Sequence, residues 1–170
     1  PARDAAKGHS PPRKPHTPKA QSDYGSGFLF SVKTIGMSRL NGRKPCSLRA
    51  ALRHNRRAIP CKFVTWARSY LNETLLGLGS PEAVHARALS LLPPGKRRVD
   101  YVQAVEFVFS LPATTTLDVR RHFVRCVEWM AEHFGHANIL SADIHLDESH
   151  PHCHVLLSPV VDGRVQGSKL

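Results

Sequence analysis

Ten residues near the C-terminal end, His145-Leu-Asp-Glu-Ser-His-Pro-His-Cys-His154, constrain this chain more than any other stretch. His152 and His154 alternate around one residue, so on a strand both side chains leave the same face. The residues before them alternate too. Leu140, Ala142, Ile144 and Leu146 form one face, and Ser141, Asp143 and His145 the other. Between the runs, Asp147 to Pro151 is short, polar and proline-terminated, which suits a hairpin connection. Closing that hairpin sets His145 beside the 152/154 pair on the polar face of a sheet. Three neutral imidazoles gathered there leave coordination positions open, which describes a catalytic metal centre better than a closed structural one. Cys153 falls on the opposite face and reads as a packing residue. A chain with 11 histidines clusters some by chance; the matching parity of His145 lifts this set above that background.

Charge placement gives the second constraint. Between Tyr24 and Asn72 there are ten Lys or Arg residues and no Asp or Glu, and the net charge is +11. A block this one-sided repels itself unless it faces a polyanion, and DNA or RNA is the obvious one. A solvated basic surface or anionic lipid is the alternative. Arg49, Arg53, Arg56, Arg57, Lys62 and Arg68 are the candidate phosphate contacts. The 170 residues suffice for one domain with a real core. No apolar stretch approaches a membrane span and no signal peptide is visible. Cys46, Cys61, Cys126 and Cys153 show no disulfide-framework spacing, so reduced thiols in the cytoplasm are expected.

Along the chain, residues 1–26 are rich in Pro, Gly, Ser, Lys and Arg and read as a flexible basic arm; residues 27–170 form the folded domain. Gly27 to Ile35 reads as a strand, with Phe28, Phe30 and Val32 on one face. Ser47 caps a short helix through Leu48, Ala51 and Leu52, and Ser80-Pro81 opens another that runs to about Leu92. Tyr101 to Leu111 is a strand with Val105, Phe107 and Phe109 on one side and Glu106 and Ser110 on the other. Thr115 or Thr116 caps a helix whose apolar stripe is Val119, Phe123, Cys126, Val127, Met130 and Phe134, and Gly135 ends it. Asp162-Gly163 marks a final turn. This order suggests an α+β fold: a mainly antiparallel sheet with helices on one face and the three-histidine site on the other.

These residues resemble a known family, the MobV-type plasmid mobilisation relaxases of the HUH endonuclease superfamily. The resemblance runs from about Gly27 to the C-terminus. Its strongest element is the ten-residue histidine run, similar to the family's HxDExxPHxH. Leu52-Arg-His-Asn-Arg56 resembles the HNxR element, Arg68-Ser-Tyr-Leu-Asn72 the "RSxLN" stretch, and Asp100-Tyr-Val-Gln-Ala-Val-Glu106 the family's core. Four elements in the right order make the likeness specific.

The resemblance implies a relaxase-like nuclease domain that nicks one DNA strand at an origin of transfer and stays linked to the 5′ phosphate. It implies a divalent ion, manganese or magnesium, on His145, His152 and His154. Imidazoles alone favour later transition metals such as zinc or nickel. It makes His54 the nucleophile and Glu148 the acidic catalytic position, with Tyr70 the alternative nucleophile. Glu106, on the polar side of its strand, and Asp147 are candidate supporting groups behind the ligands. His150 departs from the usual small or polar residue and reads as a spectator. Expected partners are origin DNA and the conjugation machinery. The chain ends a few residues past the second metal strand, so a C-terminally shortened domain is expected. Three other readings stay open: a rolling-circle replication initiator, a DNA-binding remnant without catalysis, and an iron-oxygenase facial triad, which leaves the basic block unexplained.

Overall fold

The computed structural model describes residues 29–36, 47–77, 79–96 and 101–166. The expected basic arm, and Gly27 and Phe28 of the first strand, lie outside the described residues. The elements in chain order are β1 (Leu29–Gly36), α1 (Leu48–Asn55), a 3-10 helix (Trp66–Leu71), β2 (Glu73–Leu76), α2 (Pro81–Ser90), β3 (Val102–Ser110), α3 (Val119–Phe134), β4 (Ile139–His145), β5 (His152–Leu157), β6 (Val160–Val161) and β7 (Arg164–Val165). A short 3-10 turn, His136–Asn138, links α3 to β4. Five strands form one antiparallel sheet in the order β1-β3-β5-β4-β2, so the strand bearing His152 and His154 is central. The last two strands form a hairpin around Asp162-Gly163, both at positive φ, as a tight two-residue turn requires. No described helix is long and apolar enough to cross a membrane.

The α+β reading and the antiparallel sheet hold, but the helices divide between the two faces. Phe123, Val127 and Met130 of α3 pack on Val105, Phe107, Ala142, Ile144, Cys153, Val155 and Leu157. Full burial of such side chains stabilises by about 1.5–3 kcal/mol each, so this stripe anchors α3. On the opposite face, Leu48, Ala51 and Leu52 of α1 and Val84 and Ala88 of α2 pack on Ile35, Ala104, Leu140 and Leu156. That second face also carries the histidines, because Ala104 and Leu156 share parity with Glu106 and His154. The histidine face is thus apolar at one end, where α1 and α2 cover it, and polar at the other. This division corrects the expectation that every helix packs opposite the site.

Two local expectations change. Leu140 does not join Ala142 and Ile144. A bulge between Ile139 and Ser141 interrupts the β4–β5 register and turns Leu140 toward α1 and α2. Asp118, not Thr115 or Thr116, caps α3: its carboxylate accepts from the Arg121 N–H, while Thr115 accepts from Leu117 N in the preceding turn. Ser47 and Ser80 cap α1 and α2, and Gly135 ends α3. The 3-10 helix and β2 carry no periodic apolar pattern and were not anticipated.

Gly77, just after β2, is pressed against the bulge. It sits at φ +74°, and a Cβ there would lie 2.2 Å from the Leu140 carbonyl oxygen and 2.8 Å from Ser141 Cα. Gly77→Ala is expected to cost about 3 kcal/mol or more in urea denaturation, combining the strained φ with backbone collision. Gly79→Ala also has positive φ but meets only the Ala83 Cβ, at 3.6 Å. It should cost about 1–2 kcal/mol. Equal losses would contradict the close approach at the bulge.

Candidate metal and nucleic-acid site

The β4–β5 pairing sets His145 opposite His152 and Asp143 opposite His154. The three imidazole centroids stand 5.0, 4.8 and 4.9 Å apart, an almost equilateral triangle. Each ring has one nitrogen tied to an oxygen outside the triangle. His145 Nε2–H donates to the Asn55 carbonyl at 2.7 Å, and His152 Nδ1–H to the His150 carbonyl at 2.8 Å. His154 Nδ1–H donates to Glu106 Oε1 at 2.9 Å. Carbonyls and a carboxylate only accept, so all three tautomers are fixed. The remaining nitrogens are left as lone pairs, and His145 Nδ1 and His152 Nε2 are 3.2 Å apart. Two lone pairs at that distance repel unless a cation lies between them. Ligands about 2.1 Å from one ion are spaced in just this way.

Burial holds the His145 and His152 rings neutral. Burial, with the Arg57 charge, pushes His145 down to about 2. Burial also lowers His152. Glu106 is 1% exposed. Burial would raise its carboxyl, but the hydrogen bond from His154, with Lys33, holds it down at about 2. The Asn55 side-chain amide donates to the same carboxylate at 3.1 Å.

His54, in the last turn of α1, faces the triangle: its ring centroid lies 6.3 Å from that of His154, edge to face. Burial lowers its pKa first, then the Arg57 charge. Its Nδ1 lies 3.3 Å from Cys61 Sγ, a contact that sequence spacing gave no reason to expect. Tyr70 is 82% exposed, and among the described residues its hydroxyl makes no hydrogen bond. Glu148 sits at the rim, its Oε1 4.0 Å from His152 Nε2 and 2.7 Å from the Arg57 guanidinium. His150 is exposed and bonds Ser149.

Two of the expected phosphate contacts turn inward. Arg56 caps α1, pairs with Asp143 at 2.6 Å and donates to the carbonyls of Gly77 and Gly79. Arg57, at φ +52°, grips Asp147 through Nε at 3.0 Å and Nη2 at 2.6 Å. Both leave the helix where its hydrogen bonding ends, so their side chains reach the buried carboxylates of β4 and the loop after it. Arg53, Lys62 and Arg68 stay exposed, and among the described residues Arg49 has only a 3.7 Å contact with Glu82.

Asp147 is fully buried and also accepts from Ser69 Oγ and Asn72 Nδ2, both at 2.7 Å, while its carbonyl accepts from Thr65 N–H at 2.7 Å. Those donors commit its oxygens, so it supports the site without serving as a free ligand. Burial opposes its ionisation, but the Arg57, Ser69 and Asn72 hydrogen bonds hold it well below the usual carboxylate range. With the folded pKa below the unfolded one, its contribution is fully present above about pH 4 and drains as the pH falls toward the folded value. Asp147→Asn strands the buried Arg57 guanidinium and is expected to cost about 3–5 kcal/mol in urea denaturation. Amide exchange over residues 65–72 should accelerate. A loss under about 1 kcal/mol would show that the pair supports nothing beyond itself.

Among solved structures, the chain is similar to the relaxase domain of MobM (MOBV; Mob_Pre), manganese-bound and in complex with 22-nucleotide origin-of-transfer DNA of plasmid pMV158. The TM-score is 0.67 at 23% identity, over 85% of this chain and 76% of that one. The complex of the same domain with DNA carrying a 3′ thiophosphate gives 0.68 at 22% identity and the same coverage. The complex with 26-nucleotide DNA gives 0.58 at 19% identity, over 85% and 75%. These likenesses establish the shared fold. No curated protein matches the sequence. A family model described as plasmid recombination enzyme, Mob_Pre, matches residues 39–170, well over half of the chain. The chain belongs to the plasmid recombination enzyme family.

Proposed function

We propose that this protein is a metal-dependent relaxase that nicks one DNA strand at an origin of transfer and remains attached to the 5′ phosphate, initiating plasmid or mobile-element transfer. The observation that carries this reading is the set of three fixed tautomers, each with its lone pair free on the inner side of the triangle. His145, His152 and His154 are suited to hold a divalent ion, and the manganese of the MobM structures makes Mn2+ the first choice. A divalent ion bound there polarises the non-bridging oxygens of the scissile phosphate and stabilises the charge that develops on them.

His54 supplies the nucleophile. Its Nδ1 edge is held by Cys61, its ring faces His154, and its lowered pKa keeps the imidazole neutral. Nε2 donates its lone pair to phosphorus, a P–N bond forms and the P–O3′ bond breaks. The 3′ oxygen leaves and takes a proton from water, and His54 keeps the 5′ phosphate. Attack by a 3′-hydroxyl reverses the step and rejoins the strand. Glu148, beside His152 and Arg57, bounds the open side where the phosphate enters. Arg49, Arg53, Lys62 and Arg68 are placed to bind flanking phosphates, so affinity falls steeply with salt. The complete histidine set and its supporting Glu106 and Asn55 speak against a DNA-binding remnant.

The test is nicking of supercoiled plasmid carrying the DNA around this gene, with Mn2+, Mg2+ or EDTA. Metal-dependent open circles, lost in His54→Ala and retained in Tyr70→Phe, are expected. Loss in Tyr70→Phe alone would move the nucleophile to tyrosine, and binding without cleavage under every metal would overturn the enzymatic reading. Separately, Glu106→Gln should weaken Mn2+ binding, measured by calorimetry, by about 10- to 100-fold. An unchanged affinity would remove Glu106 from the metal site.

A further inference from the structure

The segment between α1 and β2 presents aromatic side chains that the fold does not use. Phe63 is 91% exposed, Tyr70 82% and Trp66 51%. None of the three makes a ring contact among the described residues, whereas Trp129 on α3, also partly exposed, stacks on His133 at 4.3 Å. Among the described residues, four of the ten exposed large apolar side chains, these three and Leu71, fall within residues 63–71. Phe63 stands at φ +67°, a conformation that a bulky residue adopts only under constraint. The chain therefore bears backbone strain to hold a phenyl ring in water, and burial returns nothing for it.

The inward contacts of this segment belong to other residues. Cys61 reaches His54, and Thr65, Ser69 and Asn72 all reach Asp147. Residues 61–72 are thus fixed to the rim of the histidine site at both ends and in the middle. Lys62 and Arg68 lie among the rings and are exposed, and no acidic residue occurs between Tyr24 and Asn72. Cationic side chains interleaved with unpaired aromatic rings on a fixed ridge match what single-stranded nucleic acid needs: charge for the phosphates and flat apolar faces for unstacked bases. A protein partner of ordinary composition explains the rings but not the one-signed charge.

We infer that Phe63, Trp66 and Tyr70 form a stacking platform for unpaired DNA bases flanking the cleaved phosphate. This rests on the proposed nicking function for its location, but it concerns binding and is tested without cleavage. On this view Tyr70 contributes its ring and not its hydroxyl, which accounts for the unpaired phenol.

The experiment is equilibrium binding of an oligothymidylate of about twenty nucleotides to the whole chain in EDTA. Trp66 fluorescence in a Trp129→Phe background gives the readout. Saturable quenching by the single strand is expected, with little from duplex of the same length. Phe63→Ala and Tyr70→Ala should each weaken binding about 5- to 100-fold, while Tyr70→Phe retains wild-type affinity. Lys62→Ala and Arg68→Ala should each lower the salt slope by about one, and the aromatic variants should leave it unchanged. Circular dichroism and Mn2+ affinity confirm that each variant is folded.

Unchanged affinity in folded Phe63→Ala and Tyr70→Ala would overturn the platform. So would equal quenching by duplex, or concentration-dependent dimerisation abolished by Phe63→Ala, which would make the patch an interface between copies. A chain that binds in this way yet fails to nick any plasmid would retain the platform and lose the relaxase reading.

Discussion

The bidentate Arg57–Asp147 pair is the interaction on which the site depends. Arg57 leaves α1 at φ +52° and Asp147 leaves β4 two residues after His145, so the pair locks the helix C-terminus to the start of the histidine hairpin. Asp147 then gathers Ser69, Asn72 and Thr65, which moors the 3-10 helix to the same point. A buried ion pair adds little net stability over an apolar substitute, yet losing one partner is costly. Its value here is positional: one carboxylate fixes His54 and the loop after it relative to the histidine triangle.

α1 serves the triangle in two further ways. Its final residue, Asn55, presents its carbonyl to His145 and its amide to Glu106, which in turn holds His154. Two histidines from different strands are therefore oriented through one helix end. The carbonyl end of a helix also carries partial negative charge, which favours a cation nearby. Apolar packing of Leu48, Ala51 and Leu52 against Ile35, Ala104, Leu140 and Leu156 keeps that end in place. The hydrophobic half of the histidine face is what positions its polar half.

Much of this was legible in the sequence, where side-chain period decides geometry. The parity of His145, Asp143, His152 and His154 sets them on one face, and the structure places them there. Glu106 follows from the same parity on β3, and Ser47, Ser80 and Gly135 mark helix ends by their capping chemistry. What escaped was non-periodic or long-range. β2 is four residues long at a sheet edge, and the bulge that turns Leu140 has no signature in an alternating run. Arg56 and Arg57 read as phosphate ligands because they extend a basic helix. Their carboxylate partners are separated from them by some ninety residues, beyond any local pattern. Asn55 escaped for the same reason, its partners His145 and Glu106 being far along the chain, although a buried asparagine following a candidate nucleophile is a signal worth weighing. Cys61 is near His54 in sequence but reaches it across an irregular turn that no periodic pattern marks.

The claim that His54 attacks phosphorus is tested most directly by locating the covalent bond. Protein trapped on a suicide oligonucleotide containing the nick site is digested, and the nucleotide-bearing peptide is sequenced by mass spectrometry. The account predicts a phosphoramidate on His54, cleaved by mild acid and stable to base. An acid-stable phosphodiester on Tyr70, or on any other residue, would contradict it.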